Sequence, residues 1–563
     1  MKKTEKGLPQ ERGRSTFLSG VFWLSMSTIL VKVTGLITKI PLLHLLGAEG
    51  MGYYNTAYEI YAFLFVLSTA GLPVALSILI SEERGNDAHI LRAAMRLFLV
   101  LGAFGASVLW FGAAALAALM GNTAAEACIR AVAPAVLFIC LAAAVRGYCQ
   151  GLRDMRPTAV SQLLEAVGKL GFGLFFVFGA RRAALPLPQV AAAGAWGLSA
   201  GTLLSLVYLL CRLCAVIKRE KRGDQGGVQS QAVRAKRPVQ RIYKRLMAIA
   251  LPITLSAGVI TLTRLLDMAL ILHRLRACGY IEASINILYG AYSTLAIPLY
   301  ALLPALVSAL AQPLVPGIAH AREIGDAKTE GEIAATALSL TVMLSLPAAM
   351  GLAAFARPIL VLLFGGGEHA VEIASPLLAL LAASVPCASL MTVTGAMLQA
   401  YHRPHLPLVS VLIGSALKLI AAWLLLGNAD FAMLGAPIST FLCNLSAILL
   451  DLVFLVPCLP HMKGLNGLCW KIFSASLFSV GGTWLLWRFL GNRFLLPRTA
   501  VLGAVMLAAV LYLFWMLLFG AIRLYRPSSE GGRGGELVVL GWFCLGQSSG
   551  ESGGMLRKKV IIS

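Results

Sequence analysis

Apolar residues fill this chain in long blocks separated by short polar turns. The blocks lie at about Thr16–Leu46, Tyr53–Ile80, Leu91–Met120, Cys128–Gln150, Thr158–Ala180, Gln189–Ile217, Leu246–Leu272, Ile287–Pro313, Ile333–Phe355, Val371–Ala400, Leu406–Leu426, Phe431–Leu455, Leu468–Leu490 and Thr499–Arg523. A helix of about 20 residues crosses the hydrocarbon core of a bilayer, so each block predicts one span, about fourteen in all. Nowhere does the chain show the ten-residue alternation with turns that marks a membrane β-barrel. The expected fold is therefore an all-α polytopic membrane protein. Prolines fall in or near spans at Pro73, Pro134, Pro252, Pro298, Pro304, Pro347, Pro386 and Pro437, where each removes a backbone donor and can kink a helix. Between Arg357 and Glu372, a short apolar piece ending in Phe364-Gly365-Gly366-Gly367 predicts a surface helix and turn on the outer side.

The blocks also repeat. Pro73, Glu83 and Gly85-Asn86 after the second span align with Pro313, Glu323 and Gly325-Asp326 after the eighth at one constant offset. Gln150, Val160, Ser161, Lys169 and Leu170 align with Gln399, Val409, Ser410, Lys418 and Leu419 at another. Six spans per half is an even number, so the repeats are parallel, which predicts two pseudo-symmetric six-helix lobes with a substrate site at their interface. The expected organisation is an N-terminal segment (1–15), an N-lobe with spans one to six (16–217), a basic linker (218–245), a C-lobe with spans seven to twelve (246–458), two accessory C-terminal spans (459–526) and a Gly/Ser-rich, disordered tail (527–563).

Composition confirms the class: 58% of the 563 residues are hydrophobic and only 13% charged. A net charge of +22 would fit nucleic acid, but the basic residues are placed by topology. They are dense at Lys2–Arg14, Arg84–Arg96, Arg146–Arg156, Lys218–Arg245 and Arg523–Lys559, and sparse around Glu49, Asn122 and Asn428. The positive-inside rule then puts both termini in the cytoplasm, with anionic lipid headgroups rather than nucleic acid as the partner. The first block is too long for a signal-peptide core and reads as an uncleaved span. Of eleven cysteines most lie inside blocks, and the single Cys211-Arg212-Leu213-Cys214 reads as lipid-facing rather than as a metal or redox site.

Charges inside the blocks carry the candidate chemistry. Lys32 and Lys39 are seven residues apart in the first span, two turns or about 10 Å along the axis, so they share a face with Thr28 and Gly35. An ammonium at membrane depth costs about 2.5–3.5 kcal/mol on insertion scales and normally faces a bundle interior or watery cavity; the alternative is that both lysines snorkel to an interface. Lys169, Arg264 and Lys418 complete the set of cations able to lie at depth in an anion-binding cavity. Lys169 and Lys418 occupy equivalent repeat positions, although Glu165, one turn before Lys169, can neutralise it. Asp267, three residues after Arg264, pairs with it or binds a coupling cation or proton. Glu59, beside Tyr54, Tyr58 and Tyr61, is a second candidate for ion coupling or a counter-ion for Lys32. Asp451 reads as an interfacial anchor. Tyr289, Tyr292 and Gln399 are candidate sugar contacts, with packing as the alternative for the aromatics. No P-loop, HExxH or triad is present. The expectation is thus a non-enzyme with no cofactor and no metal, driven by the membrane potential or by a proton or sodium gradient.

At Gly47-Ala48-Glu49-Gly50-Met51-Gly52-Tyr53-Tyr54, Ala57-Tyr58-Glu59-Ile60-Tyr61 and Ser68-Thr69-Ala70-Gly71-Leu72-Pro73 the chain resembles the stage V sporulation protein B group. That group belongs to the polysaccharide-exporter branch of the multidrug/oligosaccharidyl-lipid/polysaccharide (MOP) flippase superfamily and is related to the MurJ-type flippases. Arg146-Gly147-Tyr148-Cys149-Gln150-Gly151 with Pro157-Thr158-Ala159, and Leu288-Tyr289-Gly290-Ala291-Tyr292-Ser293 through Leu314-Val315-Pro316, extend the resemblance to roughly residues 17–524. It implies two six-helix lobes opening alternately to each side, two extra helices beside the lipid tail, and a bacterial cytoplasmic membrane location. It implies a lipid-linked glycan diphosphate as cargo, held by basic residues of the first helix at the positions of Lys32 and Lys39, and cell-wall synthesis enzymes as partners. The second and eighth spans here lack the arginine that MurJ-like proteins carry. Competing expectations are an ion-coupled multidrug exporter, which the lysines of span one oppose, a membrane glycosyltransferase or ligase, for which the outer loops are short, and a non-transporting scaffold.

Overall fold

The computed structural model describes residues 9–82, 87–223, 239–311, 314–365, 368–403, 405–428, 431–458, 465–493 and 500–521, and the regular structure among them is all helical. The expected tail, 527–563, and the centre of the linker lie outside these residues. Eleven described helices are long and apolar enough to cross a membrane, or twelve if His369–Ala382 and Val385–Ala400, bent by 46° at their break, make one span. That is below the fourteen expected, for two physical reasons. The first two apolar blocks join into one stretch, Val33–Glu82, which counts once. The thirteenth forms a 29-residue helix, Leu465–Arg493, whose serines, glycines, Lys471 and Arg488 dilute its apolar character.

The chain packs as two compact units, 1–294 and 295–563. The first holds α1 (Pro9–Thr69), α2 (Leu72–Glu82), α3 (Asp87–Phe111), α4 (Ala113–Leu119), α5 (Glu126–Gly151), α6 (Arg156–Arg182), α7 (Leu187–Gly223), α8 (Val239–Ala277) and α9 (Glu282–Ala291). At 61 residues α1 would be about 90 Å long at a rise of 1.5 Å per residue. It breaks at Gly47, whose φ of 68° and ψ of 178° suit only glycine, and this break separates the first two spans. Beyond it α1 meets α9 backbone to backbone. A Cβ on Gly290 would stand 1.9 Å from the Ala48 carbonyl oxygen, so no larger residue fits there without moving a helix. The core gathers Leu76, Leu79 and Ile80 of α2, Ile90 and Phe98 of α3, the alanine-rich face of α5, Leu209 of α7, and Ile242 and Leu246 of α8.

The second unit holds α10 (Ile297–Ala311), α11 (Leu314–Glu323), α12 (Ala327–Ala354), α13 (Ala356–Phe364), α14 (Glu368–Ala382), α15 (Val385–Ala400), α16 (His405–Leu425), α17 (Gly435–Leu455), α18 (Leu465–Arg493) and α19 (Ala500–Leu518). Asp326 starts α12, its carboxylate accepting from the Thr329 amide at 3.1 Å and the Thr329 hydroxyl at 2.6 Å. Val393, Met397 and Leu398 of α15 pack with Ala334, Ala337 and Leu338 of α12. The accessory pair α18 and α19 leans on α12, with the Tyr512 hydroxyl donating to the Met343 carbonyl at 2.9 Å and Phe355 edge-on to Trp487. The short helix expected after Arg357 is α13, whose Phe364 is buried.

The prolines divide by position. Pro73 and Pro386 sit in the first turns of α2 and α15, where the missing N–H has no helical acceptor anyway, while Pro298 and Pro437 lie at the starts of α10 and α17, which follow directly on the helical turns Tyr292–Ala296 and Ala432–Leu434. Pro134, Pro252, Pro304 and Pro347 lie inside α5, α8, α10 and α12. Tyr292–Ala296 forms a π-helical turn between α9 and α10, and the division between the two units falls within it.

Candidate functional site: buried cations and amides of the first unit

The first unit contains two polar constellations inside an otherwise apolar bundle. One centres on Lys39. Its ammonium is partly buried and donates to the Ser293 carbonyl at 2.8 Å. A π-helical turn displaces the regular hydrogen-bond ladder, and Lys39 supplies a donor to a carbonyl of that turn. Asn55 of α1 holds the same turn through its side-chain amide, 2.9 Å from the Ser293 hydroxyl and 2.7 Å from the Thr294 hydroxyl. One turn further, Asn122 bridges α1 and α9, its side-chain amide donating to the Thr56 hydroxyl at 2.8 Å and to the Asn286 side-chain oxygen at 2.7 Å. Glu282 at the start of α9 accepts from the Thr123 hydroxyl, the Ala124 amide and Arg276. Buried amides need partners, and these pair across three segments, so α9 is tied to α1 and to the turn before α5, while α8 joins the same unit by packing Ile242, Leu246 and Ala250 into its core. The repeat seen in the sequence groups α8 and α9 with the spans that follow; side-chain amides within apolar runs, which periodicity ignores, group α9 with the first unit, and apolar packing groups α8 with it.

The second constellation centres on Glu165 of α6. Its carboxylate is 2.8 Å from the Arg146 guanidinium of α5 and 2.7 Å from the Lys169 ammonium one turn on. Arg146 also donates to the Ser161 hydroxyl at 2.9 Å and, from α7, to the Ser205 hydroxyl at 2.9 Å. The sequence offered Glu165 as a private partner for Lys169. Instead one carboxylate serves two cations, so the triad keeps one surplus positive charge. Exposure shows where that charge is felt: the Arg146 and Glu165 side chains are 6% and 7% exposed, Lys169 21%. The ammonium lies 5.3 Å from the centre of the Tyr61 ring and 5.9 Å from that of Phe65, within cation–π range. Those rings continue a ladder along α1, with Tyr54 stacked on Tyr58, and Tyr58 and Phe65 tilted against Tyr61 at centroid distances near 6 Å. Arg146 was legible in the sequence only as a cytoplasmic flank; nothing in one sequence distinguishes a flanking arginine from a buried one.

The remaining candidates are dispersed. Lys32 lies on α1, but its side chain is outside the described residues. On α8 Arg264 is exposed while Asp267, three residues on, is buried. Glu59 is half-buried on α1. Tyr289 and Tyr292 are 3% and 2% exposed, so neither ring is open to a ligand in this conformation. In the second unit Lys418 is half-buried on α16 and Gln399 exposed on α15. Asp451, read as an interfacial anchor, is instead fully buried, because α14, α15 and α16 all pack on α17. Cys211 and Cys214 are free and exposed on α7.

The family model described as polysaccharide biosynthesis protein matches residues 17–322, and the MatE model matches 278–424. Stage V sporulation protein B of Bacillus subtilis is 26% identical over 322 residues, 55% of this chain and 59% of that protein. Lipid II flippase MurJ of the same organism is 24% identical over 429 residues, 72% of this chain and 76% of that protein. Among solved structures, lipid II flippase MurJ in an inward closed conformation superposes with a TM-score of 0.69 at 17% identity, covering 88% of this chain and 98% of that one. The helical membrane architecture and these matches agree: the chain belongs to the polysaccharide biosynthesis protein family and is a multi-pass membrane transporter of the MOP flippase superfamily.

Proposed function

We propose that this transporter flips a lipid-linked glycan, carried on undecaprenyl diphosphate, from the inner to the outer leaflet of the bacterial cytoplasmic membrane by alternating access. The observation that carries the reading is the shared carboxylate of Glu165, which leaves Lys169 as a surplus cation beside an aromatic ladder. A diphosphate needs fixed positive charge in a low-dielectric setting, where each pairing is stronger than in water. Lys39, held by a backbone carbonyl, is a second such cation, and Lys32 shares its helix face. Aromatic faces beside the charge suit a sugar ring. A peptidoglycan precursor is the glycan this reading favours, with both termini in the cytoplasm as the basic turns direct.

The test is headgroup translocation of a fluorescent undecaprenyl-diphosphate glycan in proteoliposomes under an imposed potential. Wild type is expected to flip the headgroup, and Lys39→Ala and Lys169→Ala to lose most of that rate while remaining folded. Equal rates in all three would overturn the assignment of these lysines. The MatE match over 278–424 supports a second reading, an ion-coupled exporter of organic cations. Cation efflux by wild type with no lipid flipping would establish it, although the positive surplus in the first unit opposes a cationic cargo.

A further inference from the structure

In the second unit a carboxylate stands where its repeat counterpart in the first has an arginine-centred cluster. Asp451 of α17 is 0% exposed. Its Oδ2 lies 3.1 Å from the Thr394 hydroxyl of α15, the Ser410 hydroxyl of α16 lies beside the same carboxyl, and both of those residues are also 0% exposed. Oδ1 has no hydrogen-bond partner among the described residues. Ser410 is the repeat equivalent of Ser161, which in the first unit binds Arg146. Four residues before Gln150 stands Arg146; four before its counterpart Gln399 stands Gly395. Likewise Glu165, four before Lys169, becomes Gly414, four before Lys418. The second unit has thus kept the serine, removed the guanidinium and its carboxylate partner, and placed a different carboxylate beside it.

An ionised carboxylate buried without a counter-charge is among the costliest arrangements in a protein. Titratable groups with described side chains on the packed helices are His369 and Glu372 on α14, Tyr401 just past α15, and His405 and Lys418 on α16, together with the thiols of Cys387, Cys458 and, on α17 itself, Cys443. None of them hydrogen-bonds or ion-pairs with Asp451 among the described residues. Lys418 is eight residues beyond Ser410 on α16, about 12 Å along the axis.

The hydroxyls decide which small cation fits. Thr394 Oγ1 lies 3.0 Å from the Leu390 carbonyl and Ser410 Oγ 3.3 Å from the Leu406 carbonyl, so each hydroxyl has a backbone acceptor one turn back. Each has one proton to give. With a proton on Oδ2, Asp451 donates to Thr394, Thr394 donates to Leu390 and Ser410 donates to Leu406, and Oδ1 remains as the weakly accepting carbonyl of a neutral acid. A sodium ion would instead want a fuller shell of oxygens than two hydroxyls and one carboxyl provide. We propose that Asp451, with Thr394 and Ser410, is a proton-binding site of the second unit, taking one proton from water to become a neutral acid and returning it when the site is hydrated. The proposal stands apart from the identity of the cargo.

The experiment is infrared difference spectroscopy of the full chain in lipid vesicles through a pH series, in potassium and then in sodium buffer. Wild type is expected to show the C=O stretch of a buried carboxylic acid that disappears on raising the pH. Asp451→Asn should lack it, and Thr394→Val, which removes the hydrogen-bonded neighbour but keeps the acid, should shift it. The proposal is overturned if the spectra of wild type and Asp451→Asn coincide in that region, or if sodium at constant pH abolishes the band. Should Asp451→Asn fail to fold, an unshifted band in Thr394→Val overturns it equally.

Discussion

At the scale of single residues, the arithmetic of the Arg146–Glu165–Lys169 triad separates stability from transport. Removing one partner of a buried ion pair costs about 3–5 kcal/mol, because the other charge is left uncompensated. Glu165→Gln strands a guanidinium that is 6% exposed, so it should lower the unfolding midpoint of the purified protein strongly. Lys169→Met leaves the Arg146–Glu165 pair intact and should lower it far less, while still abolishing headgroup flipping. Equal destabilisation by the two would mean that Lys169 is a structural partner and the surplus charge has no role. Asp326 gives a residue-scale prediction outside the spans. Its carboxyl is held below the usual carboxylate range by the Thr329 hydroxyl and amide. A depressed folded value means stabilisation that is present above the unfolded pKa and lost as pH falls through the folded one. The protection factor of the Thr329 amide, its exchange rate relative to the intrinsic rate at each pH, should therefore fall on acidification in wild type and stay flat in Asp326→Asn, which keeps an N-cap acceptor without the charge.

At the scale of elements, the contact between α1 and α9 depends on glycine. Gly290→Ala would place a methyl 1.9 Å from the Ala48 carbonyl oxygen, which forces a helix shift rather than a side-chain adjustment. Overpacking of this kind costs about 1–3 kcal/mol or more, and it should also disturb the amide chain from Asn122 to Asn286. Gly35→Ala is the matched control. Nothing lies within 4 Å of its Cβ position, and alanine in a helix interior gains about 1 kcal/mol over glycine. Thermal melts should move in opposite directions, and a Gly290→Ala protein as stable as wild type would refute the close approach. Helix existence was legible from apolar runs, and the break at Gly47 only as the gap between the first two blocks. The π-helical turn at Tyr292–Ala296 was not, because its stabilising partners, Lys39 and Asn55, lie some 250 residues earlier in the chain.

At the scale of the whole molecule, the distribution of lysine and arginine predicts that both termini and the basic linker face the cytoplasm. Green fluorescent protein fused after Arg526 should fluoresce, and alkaline phosphatase inserted at the Asn428 turn should be active. The opposite pair of results would invert the topology. What the sequence by itself determined is the class of the protein: a helix in a membrane must satisfy its own backbone, so apolar length alone specifies spans. It also predicted a parallel repeat, in which Ser161 and Lys169 recur as Ser410 and Lys418 in fixed register. Only the tertiary structure decided the state of each charge. Burial and pairing are properties of neighbours that the chain brings together from far apart, which is why Glu165 proved to be shared with Arg146 and Asp451 proved to be enclosed rather than interfacial. The same cause ties α9 to the first unit through hydrogen bonds between buried amides and α8 through its apolar face, whatever kinship the repeat records.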